Sequence, residues 1–278
     1  MEYSTTVSTN EPIAITIGNF DGVHRGHQLL MHELGVMAQE LNCKPVLVTF
    51  SPHTLLVVRP DTDLQCLTTL EEKLALAKRY GHIDDSIVIS FTREVASLSA
   101  FDFMERLRAH FLIKGIVVGE NFKLGHHRMG DVAFLEEYGK EHEVAVRALP
   151  LEEANSIRIN STWIRSLVRE GRIVEANELL GHPFPISGTV VYGDGRGKLL
   201  GFPTANLLPE PHKLWPINGI YVARVQVENE AGGDFTSAFS VYNGVVSIGV
   251  RPTFNGQRRL TEAYLFDVQR DLYDKRIT

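Results

Sequence analysis

Ile17-Gly18-Asn19-Phe20-Asp21-Gly22-Val23-His24-Arg25-Gly26-His27 runs from the end of an apolar, β-branched segment into the start of one with helical spacing. Its glycines allow a tight turn and close backbone approach, and the helix opening behind it offers unpaired N–H groups and partial positive charge to an anion. His24 and His27 fall on one side of the first helical turn, where both can donate hydrogen bonds to phosphoryl oxygens as charge develops. The stretch reads as a phosphate-binding strand-to-helix junction lined by Gly18, Asn19, Phe20, Asp21 and Gly22. The alternative is a glycine-rich turn whose histidines cap or pack.

Outward from this junction, short β-rich runs at Pro12 to Ile17, Lys44 to Phe50, Ser86 to Ile89, Gly115 to Gly119 and Glu143 to Ala148 alternate with helical spacing near 26–40, 71–80, 101–112 and 132–142. That alternation predicts an α/β fold with a doubly wound parallel sheet. Ligands of such sheets lie beyond the carboxyl ends of the strands, so residues 18–27 and 120–130 are expected to line one crevice. Short helices at about 161–169 and 173–180 lead to Gly181-His182-Pro183-Phe184-Pro185, which punctuates a boundary between domains 1–183 and 184–278. Beyond it, short runs at Ile186 to Tyr192, Gly219 to Val227, Thr236 to Tyr242, Val245 to Val250 and Leu260 to Asp267 predict a small antiparallel β-barrel.

A length of 278 residues, 44% hydrophobic and 22% charged, suits two globular domains, each able to bury its own core. The formal charge of −6 argues against a chain that coats nucleic acid, so any polyanion bound is expected to be small. Cys43 and Cys66 form no CxxC pair, which fits a reducing compartment and two buried small apolar residues. With no run of 18 apolar residues and no leader-like N-terminus, no membrane partner is expected and the chain is placed in the cytoplasm. Residues 1–183 carry 18 basic and 25 acidic side chains and residues 184–278 carry 10 and 9; all histidines except His212 lie in the first part, so histidine-assisted chemistry belongs there.

Further groups suit phosphate chemistry. Ser161, Thr162 and Arg165 at a helix start supply two hydroxyls for capping or phosphate contact and a planar guanidinium one turn on. Asn121 follows the fourth strand, and Lys123, His126, His127 and Arg128 make its loop basic, to steer an anion or simply to be solvated. In the second domain Gly193, Gly195 and Gly197 with Arg196 and Lys198 form a loop that fits no P-loop pattern yet can cradle phosphate through backbone N–H groups. Thr204 and Asn206, two apart, share a face if extended and offer oxygens to a hard cation such as Mg²⁺. By strand alternation Glu262 shares a face with Leu260, Tyr264 and Phe266 and is expected to project into an apolar interior, where burial would raise its pKa towards that of a general base. The alternative is a glutamate at a strand edge or paired with Arg258 or Arg259.

GNFDGVHRGH resembles the HxGH signature of nucleotidyltransferases, in the form found in bifunctional riboflavin kinase/FMN adenylyltransferases. Val118 to Gly125, Ser161 to Arg165 and Gly201-Phe202-Pro203-Thr204-Ala205-Asn206, which resembles a PTAN motif, match that family in order, as do the segments around Tyr242 to Phe254 and Glu262. The resemblance implies two activities: phosphorylation of riboflavin to FMN, and adenylylation of FMN to FAD with release of pyrophosphate. ATP is co-substrate in both, with Mg²⁺. It implies that His24 and His27 contact the ATP phosphates, that Asn121 helps hold FMN or the metal-phosphate assembly, and that Ser161, Thr162 and Arg165 close over the triphosphate. Glu262 would activate the ribityl 5′-hydroxyl. Asn160, Leu124 and Thr54 stand where serine, phenylalanine and proline are usual. The family continues past the segment matching Asp271 to Thr278, so the barrel is expected to lack a C-terminal helix. Two other readings stay open: another small-molecule nucleotidyltransferase with a non-catalytic barrel, and a flavin-binding sensor without turnover.

Overall fold

The computed structural model describes residues 1–278 except 151–152, 155–156, 194–202, 209, 229–238, 254–255 and 269–270. The chain divides into two compact units, one of residues 1–165 and 175–183, the other of residues 166–174 and 184–278.

The first unit is built on a six-stranded sheet in the order β1-β4-β3-β2-β5-β6, from β1 (Tyr3–Thr5), β2 (Pro12–Ile17), β3 (Lys44–Ser51), β4 (Asp85–Ser90), β5 (Leu112–Gly119) and β6 (Ala145–Leu149). The pairs β2–β3, β3–β4, β2–β5 and β5–β6 are parallel, and β1 lies antiparallel on the outer edge of β4. The five predicted strands are all present; β1 is an addition.

Side-chain alternation along the strands builds two cores. Ile13, Ile15, Ile17, Val46, Val48 and Phe50 face one side, where α5 (Ala100–Arg108) and α6 (Val132–His142) contribute Phe103, Met104, Leu107, Leu135 and Tyr138. Ala14, Leu47 and Val117 face the other, against Met31, Leu34, Met37 and Ala38 of α1 (Arg25–Glu40) and Leu76 and Ala77 of α3 (Leu70–Gly81). Burying each such side chain contributes roughly 1.5–3 kcal/mol, so this sandwich holds the loops at the strand ends in place. Strand order reverses between β2 and β5, and the loops beginning at Gly18 and Glu120 leave from the two sides of that switch.

After β6 the two-residue strands β7 (Glu153–Ala154) and β8 (Ile157–Arg158) pair antiparallel, and the second unit contains a closed barrel in the order β10-β13-β12-β11-β14-β9. Its strands are β9 (Gly188–Val191), β10 (Ala205–Leu207), β11 (Gly219–Glu228), β12 (Phe239–Thr253), β13 (Gly256–Leu265) and β14 (Arg276–Ile277), all paired antiparallel. Among the described residues its interior is lined by Val190, Ala205, Leu207, Val225, Val227, Ala263, Leu265 and Ile277. The runs expected as two strands, from Thr236 and from Val245, correspond to the single strand β12; Thr236 itself lies outside the described residues. Gly244 continues the ladder opposite Leu265, where a Cβ would lie 2.4 Å from the Tyr264 carbonyl oxygen. Cys43 and Cys66 are half-buried rather than fully buried, and neither forms a disulfide.

Candidate active sites

The loop between β2 and α1 is wound through left-handed backbone at Phe20 (φ 48°), Gly22 (φ 86°) and Val23 (φ 42°). Such conformations, costly for a β-branched residue, persist only where the surroundings over-determine them. Asp21 does so here. Its carboxylate accepts from the amides of Leu67 and Thr68 at 3.0 Å each and from the Thr68 hydroxyl, and it pairs with Arg165 Nη2 at 2.7 Å. Gly22 N–H donates to Thr68 Oγ1, and a Cβ at Gly22 would meet Leu67 at 2.7 Å. Burial pushes the Asp21 carboxyl up, but Arg165 and the two amides more than offset this and hold it below its ordinary value.

The sequence assigns Asp21, Ser161 and Arg165 to ligand; the structure turns them towards one another. Asp21 is 3% exposed, Arg165 is buried against it, and the Ser161 hydroxyl donates to the Asp21 carbonyl at 2.9 Å. The cap of α7 (Ser161–Arg169) comes from Asn160, whose Oδ1 accepts from Trp163 N–H, so the hydroxyls of Ser161 and Thr162 are not needed for that task. Phe20 is buried with its ring edge-on to His27, and the Asn19 side chain bonds Thr54. Gly18 lies against the Phe20 ring.

His24 is the N-cap residue of α1, and its ring stacks on that of His27 at 3.6 Å between centroids and 18° between planes. Both rings are desolvated. Burial, outweighing the pull of Asp21, brings His24 down to about 4, and burial followed by repulsion from His24 and Lys73 takes His27 well below the usual imidazole range. Both are neutral at pH 7. The Nδ1 atoms of His24 and His27 are buried and make no hydrogen bond among the described residues, at a helix N-terminus suited to an anion. Asn121 is exposed on the loop after β5, and among the described residues no hydrogen bond joins it to the histidine pair. His126, His127 and Arg128 form a 3₁₀ turn further along that loop. Two residues absent from the sequence-based reading also belong here. Lys73, on α3, is buried and reaches β3; His53, the N-cap of α2 (Thr54–Val58), is brought down to about 4, chiefly by burial. Each carries its signal in a fold contact rather than in a local pattern.

In the barrel, Asn206 and Glu262 stand directly opposite one another on β10 and β13, with Ser247 of β12 on the other side of Glu262. This corrects the expected orientation: Thr261, Ala263 and Leu265 point inward, while half-buried Glu262 shares the outer face with Tyr264 and exposed Phe266. The interior is lined by aliphatic side chains such as Leu207, Val227 and Ile277, where an unpaired carboxylate would lose its hydration, and Glu262 takes the outer face. Gly193, just past β9, abuts Asn206, and a Cβ there would come within 2.6 Å of the Asn206 Cγ. Thr204 immediately precedes β10. Gly195, Gly197 and Lys198 lie outside the described residues.

Fold and sites together define an HxGH-type nucleotidyltransferase unit followed in the chain by a closed six-stranded barrel with a carboxylate opposite an amide on its outer face. Two family models match: FAD synthetase over residues 6–163 and riboflavin kinase over residues 180–278. Among curated relatives, the bifunctional riboflavin kinase/FMN adenylyltransferase of Escherichia coli (strain K12) is 35% identical over 99% of this chain and 85% of its own length. That of Pseudomonas fluorescens is 34% identical over 95% and 81%. A solved structure from Streptococcus pneumoniae, described as a macrolide-efflux protein, superposes with a TM-score of 0.81 at 28% identity, covering 98% of this chain and 85% of that one. Among the described residues no helix is long and apolar enough to cross a membrane. The chain belongs to the bifunctional riboflavin kinase/FMN adenylyltransferase family.

Proposed function

We infer that the chain converts riboflavin and ATP to FMN and ADP at its barrel, and FMN and ATP to FAD and pyrophosphate at its sheet, using residues 184–278 and 1–183 respectively. The observation that carries the second assignment is the stacked His24–His27 pair with both Nδ1 atoms buried and unpartnered among the described residues.

In adenylyl transfer an FMN phosphate oxygen attacks the α-phosphorus of ATP and pyrophosphate leaves. Neutral imidazoles each keep one N–H to donate to the oxygens on which charge develops, in a water-poor site where such donors count most. Asp21, Arg165 and Ser161 act by fixing the loop that positions these rings, with Gly18, Asn19, Phe20 and Gly22 forming the turn. Asn121 and Thr162 are assigned to substrate contact.

At the barrel, Glu262 takes the proton from the riboflavin 5′-hydroxyl as that oxygen attacks the γ-phosphorus of ATP. Its outer-face position, opposite Asn206, sets it beside the residues assigned to metal and phosphates. Mg²⁺ fits the oxygen donors of Thr204 and Asn206 and would neutralise phosphate charge there. Gly193, Gly195, Gly197 and Lys198 are assigned to the phosphates. A match to riboflavin kinase across the barrel favours this over a non-catalytic barrel or a flavin sensor. A cytoplasmic setting with small-molecule partners and no nucleic acid accords with the net charge of −6.

Incubation with riboflavin, ATP and Mg²⁺ followed by chromatographic separation of flavins tests this: both FMN and FAD are expected, and the absence of either removes the corresponding activity.

A further inference from the structure

Lys73 is 5% exposed, yet no carboxylate pairs with it among the described residues. The capping box at the start of α3, where Thr69 and Glu72 exchange hydrogen bonds, fixes the turn that carries it. Its ammonium donates to Thr49 Oγ1 at 3.0 Å and, at a long 3.5 Å, to the Phe50 carbonyl; the third hydrogen has no acceptor among the described residues. Thr49 in turn donates to the Asn19 carbonyl at 3.4 Å. The ammonium is thereby set at the carboxyl end of β3, beneath the loop from β2, and is close enough to His27, His53 and Asp21 to act on their charges.

A buried ammonium without an anion is costly. Asp21 attracts it from a distance but makes no direct ion pair with it, its oxygens being engaged by Arg165 and the Leu67 and Thr68 amides. Counting these described groups alone, with Arg165 and Lys73 cationic, Asp21 anionic and His24, His27 and His53 neutral, there is an excess of one positive charge at pH 7. An incoming polyanion removes that imbalance.

We propose that Lys73 is a further phosphate-facing residue of the adenylyl-transfer site, whose ammonium, rather than the histidines, supplies the positive charge that holds the triphosphate of ATP. The proposal rests on the assignment of that reaction to the sheet unit. Burial brings Lys73 down to about 8, despite the attraction of Asp21 and Cys66, so it is charged at neutral pH and neutralised in mildly alkaline solution. The titratable and charged groups that interact with it are Asp21 from the loop after β2, His27 from α1, His53 from α2 and Cys66 from the segment before α3; Arg165 of α7 acts on Asp21 and His53 beside it.

The test measures FAD formation from supplied FMN and, in the same preparation, FMN formation from riboflavin. Lys73→Met is expected to raise KM for ATP in adenylylation, and the pyrophosphate inhibition constant with it, by roughly 10- to 100-fold, the worth of one hydrogen bond to a charged group. Riboflavin phosphorylation is expected to be unchanged. A fall in kcat with unaltered KM and pyrophosphate inhibition would make Lys73 a clamp on Thr49 and overturn the proposal. In the wild type, KM for ATP is expected to climb above about pH 8. Lys73→Arg, whose guanidinium stays charged, abolishes that climb, whereas Cys66→Ala keeps it. Persistence of the climb in Lys73→Arg would likewise overturn the proposal, and this comparison decides the matter alone if Lys73→Met does not fold. A wild type that forms no FAD from FMN would instead remove the underlying assignment.

Discussion

At the scale of single residues, the organisation of the sheet site turns on Asp21. Its carboxylate ties together three stretches far apart in sequence, the loop that bears it, Leu67-Thr68, and Arg165. Asp21→Asn leaves the buried Arg165 guanidinium without its counter-ion and is expected to destabilise the protein by about 3–5 kcal/mol, read from urea-unfolding midpoints at pH 7. The histidines set the acid limit. His24 titrates near 4 when folded and near 6.5 when unfolded, so between these values the unfolded chain binds the proton first. Its contribution is complete above pH 6.5 and declines as pH falls towards 4. At pH 5 the loss from His24 amounts to about 2 kcal/mol, with His27 and His53 acting in the same direction. Urea midpoints are expected to drop between pH 7 and 5, and His24→Gln to lessen the drop. Sequence reasoning finds His24 and His27 because their spacing is local. It does not find the pairing of Asp21, because the carboxylate lies 144 residues from its arginine and the sequence shows no sign of the contact.

At the scale of elements, strands β2 to β6 are legible because each is a short β-rich run bounded by helical spacing, while β1 is a polar Tyr-Ser-Thr segment that shows itself only through its pairing with β4. The barrel is harder to read. The period along β13 is evident, but its phase is not: apolarity favours Leu260, Tyr264 and Phe266 for the interior, whereas Thr261, Ala263 and Leu265 are the buried set. Gly193 belongs to this scale, as the residue that lets β9 end against Asn206. Gly193→Ala places a methyl 2.3 Å from the Asn206 amide nitrogen and displaces that side chain from its station opposite Glu262. Riboflavin phosphorylation is expected to fall by about 100-fold, as for a misplacement of an ångström or so, with FMN adenylylation and the unfolding midpoint unchanged.

At the scale of the whole molecule, the two family matches fall on consecutive parts of the chain and each brings its own ATP chemistry. Glu262→Gln is therefore expected to lower FMN formation by at least about 100-fold while leaving FAD formation from supplied FMN at its original rate. His27→Ala is expected to do the reverse. Assay of both flavins in both variants checks this, and equal loss of the two activities in either variant would contradict the division of labour.

The short strand β1 also bears on how molecules meet. Tyr3, Ser4 and Thr5 occupy the outer ladder of β4 opposite Ile89, Val88 and Ile87, and the hydroxyls of Thr5 and Thr6 tie the same stretch to Ser86 and Asp85. Stripped of these few N-terminal residues, the sheet would present a row of open peptide groups flanked by aliphatic side chains, a template on which a strand from another molecule can add. Trimming or retagging the chain there would thus endanger solubility well before it touched either reaction.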